Sequence, residues 1–304
     1  MKNFNMFTRQ KWSSLYETQK VPVSEVQLNK IKSVNDKISL IDVKDIYIPL
    51  VNLIYLKYEL YKDTIKKQNS FLNINAPITP FIIGIAGSVS VGKSTISRLL
   101  NILFNHLFSN IKVQQITTDG FLYSTKYLKE HNLLNKKGFP ESYNMSKLIN
   151  FLEMVKQNKN NIKVPKYSHE YYDILPNQFN NINNPDILIV EGINVLQISK
   201  DTDVFTSDFF DLSIYVDADK KNIKKWFINR FELLLDSSFH NPQNYYYDLA
   251  IGPRQKALNY ANDVWKNINL PNLDQYILPT KNRANIIIHK DHDHLVDKLY
   301  IRNY

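Results

Sequence analysis

The 304-residue chain contains no cysteine, which excludes disulfide bridges, thiolate catalysis and cysteine-ligated zinc sites. It also lacks long apolar runs, since none approaches the roughly 18 residues that a membrane span requires. The first seven residues do not form the apolar core of a signal peptide. These absences predict a cytoplasmic protein without a membrane partner.

A concentrated basic tract is missing as well. The formal net charge is +9, but the paired lysines are scattered along the chain, and no helix-turn-helix, RNP or zinc-finger pattern accompanies them. A diffuse positive surface suits small anionic ligands better than a polyanion. We therefore expect no nucleic-acid partner.

What the chain does have is a phosphate-binding pattern at residues 87–94, where G-x-x-x-x-G-K-[ST] matches at every specified position. The glycines allow close approach to phosphate oxygens, and successive N–H groups can form an anion-binding nest. An apolar run at 81–86 precedes the loop, and a helical apolar pattern follows it, so the loop lies at a helix N-terminus. The predicted nucleotide-binding residues are Gly87, Ser88, Val89, Ser90, Val91, Gly92, Lys93, Ser94 and Thr95.

Acidic side chains follow two further apolar runs. Asp119 comes after the second predicted strand, where a carboxylate can accept the proton of an attacking hydroxyl or help to hold Mg²⁺. An ordinary turn residue before Gly120 explains Asp119 equally well. Glu191 directly follows four apolar residues and resembles the Walker B acid, which together with Ser94 serves Mg²⁺.

Two other side chains are ambiguous from spacing. Arg230 lies among aromatic residues and could clamp a phosphate, but a surface ion pair with Glu232 or Asp236 explains it at least as well. A lone histidine such as His169 more often has a structural role.

Helical patterns dominate the first 75 residues, with capping signals at Ser24 and Ser39. From residue 81, predicted strands alternate with helices, which favours a parallel sheet. The other predicted strands are 113–117, 186–190, 212–216 and 286–288, and the other predicted helices are 146–156, 220–235, 254–267 and 293–301. Residues 119–186 form a long aromatic-rich segment, which is typical of a functional region.

The sequence therefore predicts a single α/β domain over residues 1–304. A helical extension (1–75) precedes a core (81–304) in which helices flank a mostly parallel central sheet. A substrate-binding insert covers about residues 120–185.

Five segments together resemble the bacterial type I pantothenate kinases, which have the P-loop kinase fold. They are AGSVSVGKST at 86–95, ITTDGF at 116–121, KKGFPESY at 136–143, YSH at 167–169 and ILPT at 277–280. The resemblance extends from Trp12 to about His294. It implies phosphorylation of pantothenate to 4′-phosphopantothenate with ATP and Mg²⁺, the first step of coenzyme A synthesis.

The resemblance also implies a homodimer, with the long helix after the phosphate loop in its interface, and feedback inhibition by coenzyme A. The alternatives are another small-molecule P-loop kinase, such as a uridine kinase or phosphoribulokinase, and, from a different class, a nucleic-acid-stimulated NTPase.

The same resemblance implies roles for individual residues. The catalytic residues would be Lys93, Asp119 and Arg230, and the metal ligands would be Ser94 and Glu191. Pantothenate would contact Tyr167, His169, Asn269 and the position of Phe227, adenine would lie near Asn35 and His294, and coenzyme A would contact Arg98, Lys93 and His169.

Three residues depart from the family pattern. Phe227 and Leu249 stand where the family usually has Tyr, and Leu234 stands where it usually has Phe. In the family these aromatic side chains line the pocket shared by pantothenate and the pantetheine arm of coenzyme A. We therefore expect coenzyme A to inhibit this protein more weakly than a typical member.

Overall fold

The computed structural model describes residues 3–17, 20–198 and 204–303. The strands in these ranges are β1 (Phe4–Thr8), β2 (Phe81–Gly87), β3 (Val113–Thr117), β4 (Ile162–Ser168), β5 (Asp173–Ile182), β6 (Ile187–Glu191), β7 (Leu212–Ala218), β8 (Ile286–Lys290) and β9 (Val296–Arg302). Seven of them form a sheet in the order β1-β9-β8-β7-β2-β6-β3, and β4 pairs with β5 in a separate hairpin.

The helices over the same ranges surround this sheet. They are α1 (Arg9–Ser13), α2 (Glu25–Ile31), α3 (Leu40–Asp42), α4 (Ile48–Leu72), α5 (Lys93–Leu107), α6 (Thr125–Glu130), α7 (Met145–Lys156), α8 (Lys220–Leu235), α9 (Tyr247–Ala250), α10 (Arg254–Val264) and α11 (Leu270–Asn272). A π-helical segment, Val43–Tyr47, joins α3 to α4, and another, Trp265–Asn269, joins α10 to α11. Both predicted capping signals are present as capping boxes, at Ser24 and Ser39.

The central strand β2 explains the layered architecture. Every residue of β2 is buried, and it pairs in parallel with β6 on one side and β7 on the other. A strand that is apolar on both faces must be shielded from water on both faces, and in parallel sheets helices packed on each face provide this shielding. Because β3, β6, β2, β7 and β8 are mutually parallel, the predicted α/β fold with a mostly parallel sheet is confirmed.

The register of three neighbouring strands determines where the site forms. Glu191 in β6 pairs with Ile85 in β2 and with Thr117 in β3. The phosphate loop follows Ile85 by two residues, and Asp119 follows Thr117 by two residues. Since the carboxyl ends of parallel strands lie at one edge of the sheet, these groups converge there.

Two predictions about the chain ends are wrong. The N-terminal region begins with a strand, because β1 pairs antiparallel with β9 at the edge of the sheet. The predicted helix at 293–301 is largely strand β9, which pairs with β8 and β1. The three-residue spacing of buried Val296 and Leu299 imitates a helical period, but backbone pairing with two neighbouring strands decides the outcome.

The region predicted as an insert is more regular than its sequence indicates. It contains α6, α7 and the β4–β5 hairpin, which packs against the turn that follows β3. A Cβ on Gly120 in that turn would lie 2.3 Å from the Pro165 carbonyl oxygen, so the close approach requires glycine. Among the described residues, no helix has the length and apolarity needed to cross a membrane.

Candidate active site

The phosphate loop connects β2 to α5 in a conformation that its glycines permit. Gly87 and Gly92 have φ angles of +145° and +91°, and a Cβ on Gly87 would lie 2.6 Å from the Val216 carbonyl oxygen. Ser90 has a φ of +59°, which is uncommon for a residue with a side chain. The N-terminus of α5, with its free N–H groups, therefore lies at the carboxyl-terminal edge of the parallel strands.

Lys93 is the first residue of α5 and is buried beside the loop. Its Nζ donates a hydrogen bond to the Ser88 carbonyl oxygen at 2.7 Å. Burial lowers the pKa of Lys93, whereas the nearby carboxylates of Glu191 and Asp119 act to raise it. The carboxylates at the end of β6 and after β3 therefore partly offset the cost of burying this ammonium group.

Ser94 and Glu191 are joined by a hydrogen bond at the mouth of the phosphate loop. The Ser94 hydroxyl donates to Glu191 Oε1 at 2.8 Å. Burial raises the pKa of the Glu191 carboxyl, and Lys93 opposes that shift. One hydroxyl and one carboxylate suit Mg²⁺, which usually takes its remaining ligands from phosphate and water.

Asp119 faces the same cavity from the turn after β3. Its side chain is 26% exposed, so it is accessible without being fully solvated. The Tyr143 hydroxyl donates to Asp119 Oδ1 at 3.5 Å, and His169 Nε2 lies 3.9 Å from Asp119 Oδ2. Burial raises the pKa of Tyr143, so its hydroxyl stays protonated as a donor.

Arg230 reaches this cavity from α8. Its guanidinium makes no hydrogen bond or ion pair with any residue that the structure describes, so neither Glu232 nor Asp236 engages it. Asp236 and Glu232 pair instead with Arg254. A partly buried guanidinium without a partner is suited to bind an anionic ligand.

Two adjoining cavities make up the site. The first, of about 200 Å³, is lined by the phosphate loop, Asp119, Glu191 and Arg230. The second, of about 500 Å³, is largely apolar and is lined by side chains that include Phe227, Phe231, Leu234, Phe239, Tyr246 and Tyr260. His169, Arg230 and Asn269 line both cavities, so a ligand could extend from one into the other.

The residues predicted to bind substrate lie around these two cavities. Tyr167 and His169 come from the β4–β5 hairpin and meet edge to face, with ring centroids 5.2 Å apart. Asn269 lies at the end of the second π-helical segment, and its buried Nδ2 has no hydrogen-bond partner among the described residues. Phe227 and Leu234 line the apolar cavity, whereas Leu249 packs behind it against a small hydrophobic cluster.

Four other residues that were predicted to bind the nucleotide or coenzyme A make hydrogen bonds within the protein. Asn35 lines the first cavity and donates to the Trp226 carbonyl oxygen at 2.9 Å. The Thr95 hydroxyl is buried under the loop, where it donates to Asp36. Arg98 lines neither cavity, and its Nε donates to the Ile31 carbonyl oxygen at 2.8 Å. His294 is also buried, with its Nε2 3.0 Å from the Ser90 carbonyl oxygen.

Sequence reasoning missed Lys137, which lines the first cavity beside Tyr167 and Tyr172. Its Nζ lies 4.0 Å from the ring centroid of Tyr172 and donates to the carbonyl oxygen of the same residue. Burial lowers the pKa of Lys137 to about 8, although Asp173 and Asp119 oppose the shift. The residue belongs to the KKGFPESY segment, but its burial could not be read from that segment.

Comparisons with known proteins agree with this geometry. A profile of the phosphoribulokinase / uridine kinase family matches residues 82–230. The chain is 52% identical over 302 residues to a pantothenate kinase of Levilactobacillus brevis and 51% identical over 302 residues to one of Enterococcus faecalis. In both cases the match covers 99% of this chain and 98% of the relative.

A solved structure shows the same fold at much lower sequence identity. D-glycerate 3-kinase from Cryptococcus neoformans var. grubii matches with a TM-score of 0.56 at 10% identity, covering 80% of this chain and 97% of that chain. With the phosphate loop, the Ser94–Glu191 pair and Asp119 at one sheet edge, the full-length identity to the two bacterial relatives shows that the chain belongs to the pantothenate kinase family.

Proposed function

We propose that the protein transfers the γ-phosphate of ATP to the terminal hydroxyl of pantothenate, giving 4′-phosphopantothenate, the first step of coenzyme A synthesis. The main support is the convergence of Lys93, Glu191, Asp119 and Arg230 around one cavity. Within the described ranges Arg230 has no hydrogen bond or ion pair. The names of the relatives support pantothenate as the acceptor.

The chain's own oxygen ligands fit Mg²⁺ as the accompanying ion. No group of three or more acidic or histidine side chains in the described part of the chain could hold a metal by itself. The Ser94 and Glu191 pair, 2.8 Å apart, would instead hold Mg²⁺ together with phosphate oxygens. Bound there, Mg²⁺ would neutralise charge on the β- and γ-phosphates.

Asp119, Tyr143, Lys93 and Arg230 each have a role in the transfer step. The acceptor oxygen forms a bond to the γ-phosphorus while the bond from that phosphorus to the β–γ bridging oxygen breaks, which leaves ADP. Asp119 receives the hydroxyl proton, and Tyr143 orients its carboxylate. Lys93 and Arg230 stabilise the negative charge on the transferring group.

The second cavity supports an acceptor that carries apolar groups close to its reacting hydroxyl. Pantothenate carries two methyl groups near its reacting hydroxyl and an amide and a carboxylate beyond them. The aromatic wall, including Phe227, would contact the apolar part. The buried, unpaired Nδ2 of Asn269 would donate to a polar group of the acceptor, because leaving that donor unsatisfied is costly.

Four further proposals concern the nucleotide site, regulation, location and assembly. Adenine would lie near Asn35, coenzyme A would compete at the same cavities, and the enzyme would act in the cytoplasm, where ATP is available. A homodimer would use the outer surface of α5, where Asn105 and His106 are exposed and Ile102 and Leu107 are only partly buried.

The decisive experiment is an assay of ADP release with ATP and Mg²⁺ and one acceptor at a time. We expect release to depend on pantothenate and to fall by about 10²-fold or more in Lys93→Ala, which loses the charge on the transferring phosphate. Release that depends on uridine or on nucleic acid, and not on pantothenate, would support the alternative functions.

Asp119→Asn keeps the shape of the side chain but cannot accept a proton. We expect kcat to fall by about 10²-fold or more while the KM for ATP changes little. Asp274→Asn, at an exposed acid that pairs with Lys220, is the matched control and should leave both constants unchanged. Equal losses of kcat and ATP binding in Asp119→Asn would indicate a metal-binding or structural role instead.

Lys137 Nζ lies 5.6 Å from the ring centroid of Tyr167, a predicted pantothenate contact, so we assign Lys137 to binding of the acceptor. Its pKa of about 8 then predicts a pH dependence of that binding. Because this pKa is lowered, the side chain is charged below about pH 8 and loses its charge as the pH rises through that value. We therefore expect the KM for pantothenate, an anion, to rise between about pH 7 and pH 9 in the wild type. Lys137→Met should have a higher KM that is flat over this interval, and a parallel rise in both proteins would contradict the assignment.

Leu234 lines the apolar cavity, so Leu234→Phe should strengthen inhibition by coenzyme A. A restored aromatic contact contributes about 0.5–1.5 kcal/mol, which corresponds to at most about a tenfold lower inhibition constant. Leu249→Phe is the control, because Leu249 packs behind the cavity and should have a smaller effect. Unchanged or weaker inhibition of Leu234→Phe at several ATP concentrations would show that the packing argument is wrong.

A further inference from the structure

Three charged or titratable side chains lie buried directly beneath the phosphate loop. The side chains of Asp36 and His294 are each 2% exposed, and Lys290 is fully buried. Asp36 follows α2, Lys290 ends β8, and His294 lies in the turn before β9. The transfer step described above uses none of them.

The hydrogen bonds of His294 determine its tautomer. Lys290 Nζ lies 3.2 Å from His294 Nδ1, and since an ammonium group can only donate, Nδ1 must accept. The ring proton is therefore on Nε2, which donates to the Ser90 carbonyl oxygen at 3.0 Å. Burial, reinforced by the charge of Lys290, lowers the pKa of His294 to about 4, so the ring is neutral near pH 7.

The hydrogen bonds from Lys290 through His294 end at Ser90, a loop residue with an uncommon backbone conformation. Ser90 is in the left-handed region, with a φ of +59°, where a residue with a side chain is strained. In a trans peptide the carbonyl and the following N–H point in opposite directions. With the Ser90 carbonyl bound to His294, the N–H of Val91 is directed away from the buried cluster.

The loop backbone also rests on the cluster by direct contact. A Cβ on Gly92 would lie 2.7 Å from Lys290 Nζ and 3.3 Å from the carboxylate oxygens of Asp36. Asp36 in turn accepts a hydrogen bond from the Thr95 hydroxyl in the first turn of α5. The cluster is therefore attached to the loop on one side and to the helix N-terminus on the other.

We propose that Lys290 is a positioning residue for the nucleotide: through His294 and Asp36 it holds the phosphate loop in the conformation that receives phosphate. The proposal rests on the kinase function proposed above. It assigns His294 to the support of the loop, by way of the Ser90 carbonyl.

The test is Lys290→Met, which keeps the apolar stem and removes the donor to His294. Loss of one charge-assisted hydrogen bond should raise the KM for ATP by about tenfold, with the KM for pantothenate within about twofold of wild type. Lys281→Met, which removes a lysine that forms a partly buried ion pair with Asp217, is the matched control and should leave the KM for ATP unchanged. A wild-type KM for ATP in Lys290→Met, or an equal rise in the control, would overturn the proposal.

Lys290→Met removes a positive charge that acts on the buried Asp36 carboxylate, and loss of such a charge can prevent folding. The double variant Asp36→Asn with Lys290→Met removes both charges and avoids this problem. It should fold, as judged by circular dichroism, and still bind ADP about tenfold more weakly than wild type in calorimetry. Wild-type affinity for ADP in the double variant would refute the role of Lys290.

The two proposals fail in different ways. If the wild-type protein releases no ADP with pantothenate, the proposed function is wrong. If it does, but the Lys290 variants keep wild-type constants for ATP and ADP, the function stands and the positioning role alone is rejected.

Discussion

The parallel pairing of β2, β6 and β3 is the constraint on which the active site depends. Glu191 is in register with both Ile85 and Thr117, so the phosphate loop, Glu191 and Asp119 all leave the sheet at the same level. Neighbouring strands are about 4.8 Å apart, so these groups lie within one or two strand spacings of each other. A shift of one residue in either pairing would move a carboxylate out of the site and turn its side chain to the other face.

Electrostatics within the site follow from this convergence. Burial lowers the pKa of Lys93 and raises that of Glu191, and each residue opposes the shift of the other. Arg230 adds a guanidinium without a partner among the described residues, so a phosphate ligand would complete a set of charges that is already in place. Catalysis of phosphoryl transfer depends mainly on such preorganised charge, because the reaction requires positioning and charge stabilisation more than a covalent intermediate with the protein.

Local patterns allowed much of the fold to be predicted. The loop motif, the helix α8 and the caps at Ser24 and Ser39 depend on residues close together in sequence, so their spacing is informative. The segment 293–301 was predicted as a helix and is largely a strand, because its pairing partners, β8 and β1, lie elsewhere in the chain. The β4–β5 hairpin was not predicted as strands for a similar reason, since its exposed residues lack a regular alternation.

The sequence by itself determined the phosphate loop, because its pattern and its flanking strand and helix are local. It predicted Glu191 as a ligand of Mg²⁺ and Asp119 as a proton acceptor, and it left a turn role for Asp119 open. It left the alternatives for Arg230 open, and it contained no signal for the burial of Lys137. The tertiary structure alone decided that Arg230 has no hydrogen-bond or ion-pair partner in the described ranges, that Lys137 lies against Tyr172, and that Asp36, Lys290 and His294 meet beneath the loop. The physical reason is that burial and charge pairing depend on which distant segments pack together, and residue spacing along the chain does not encode those distances.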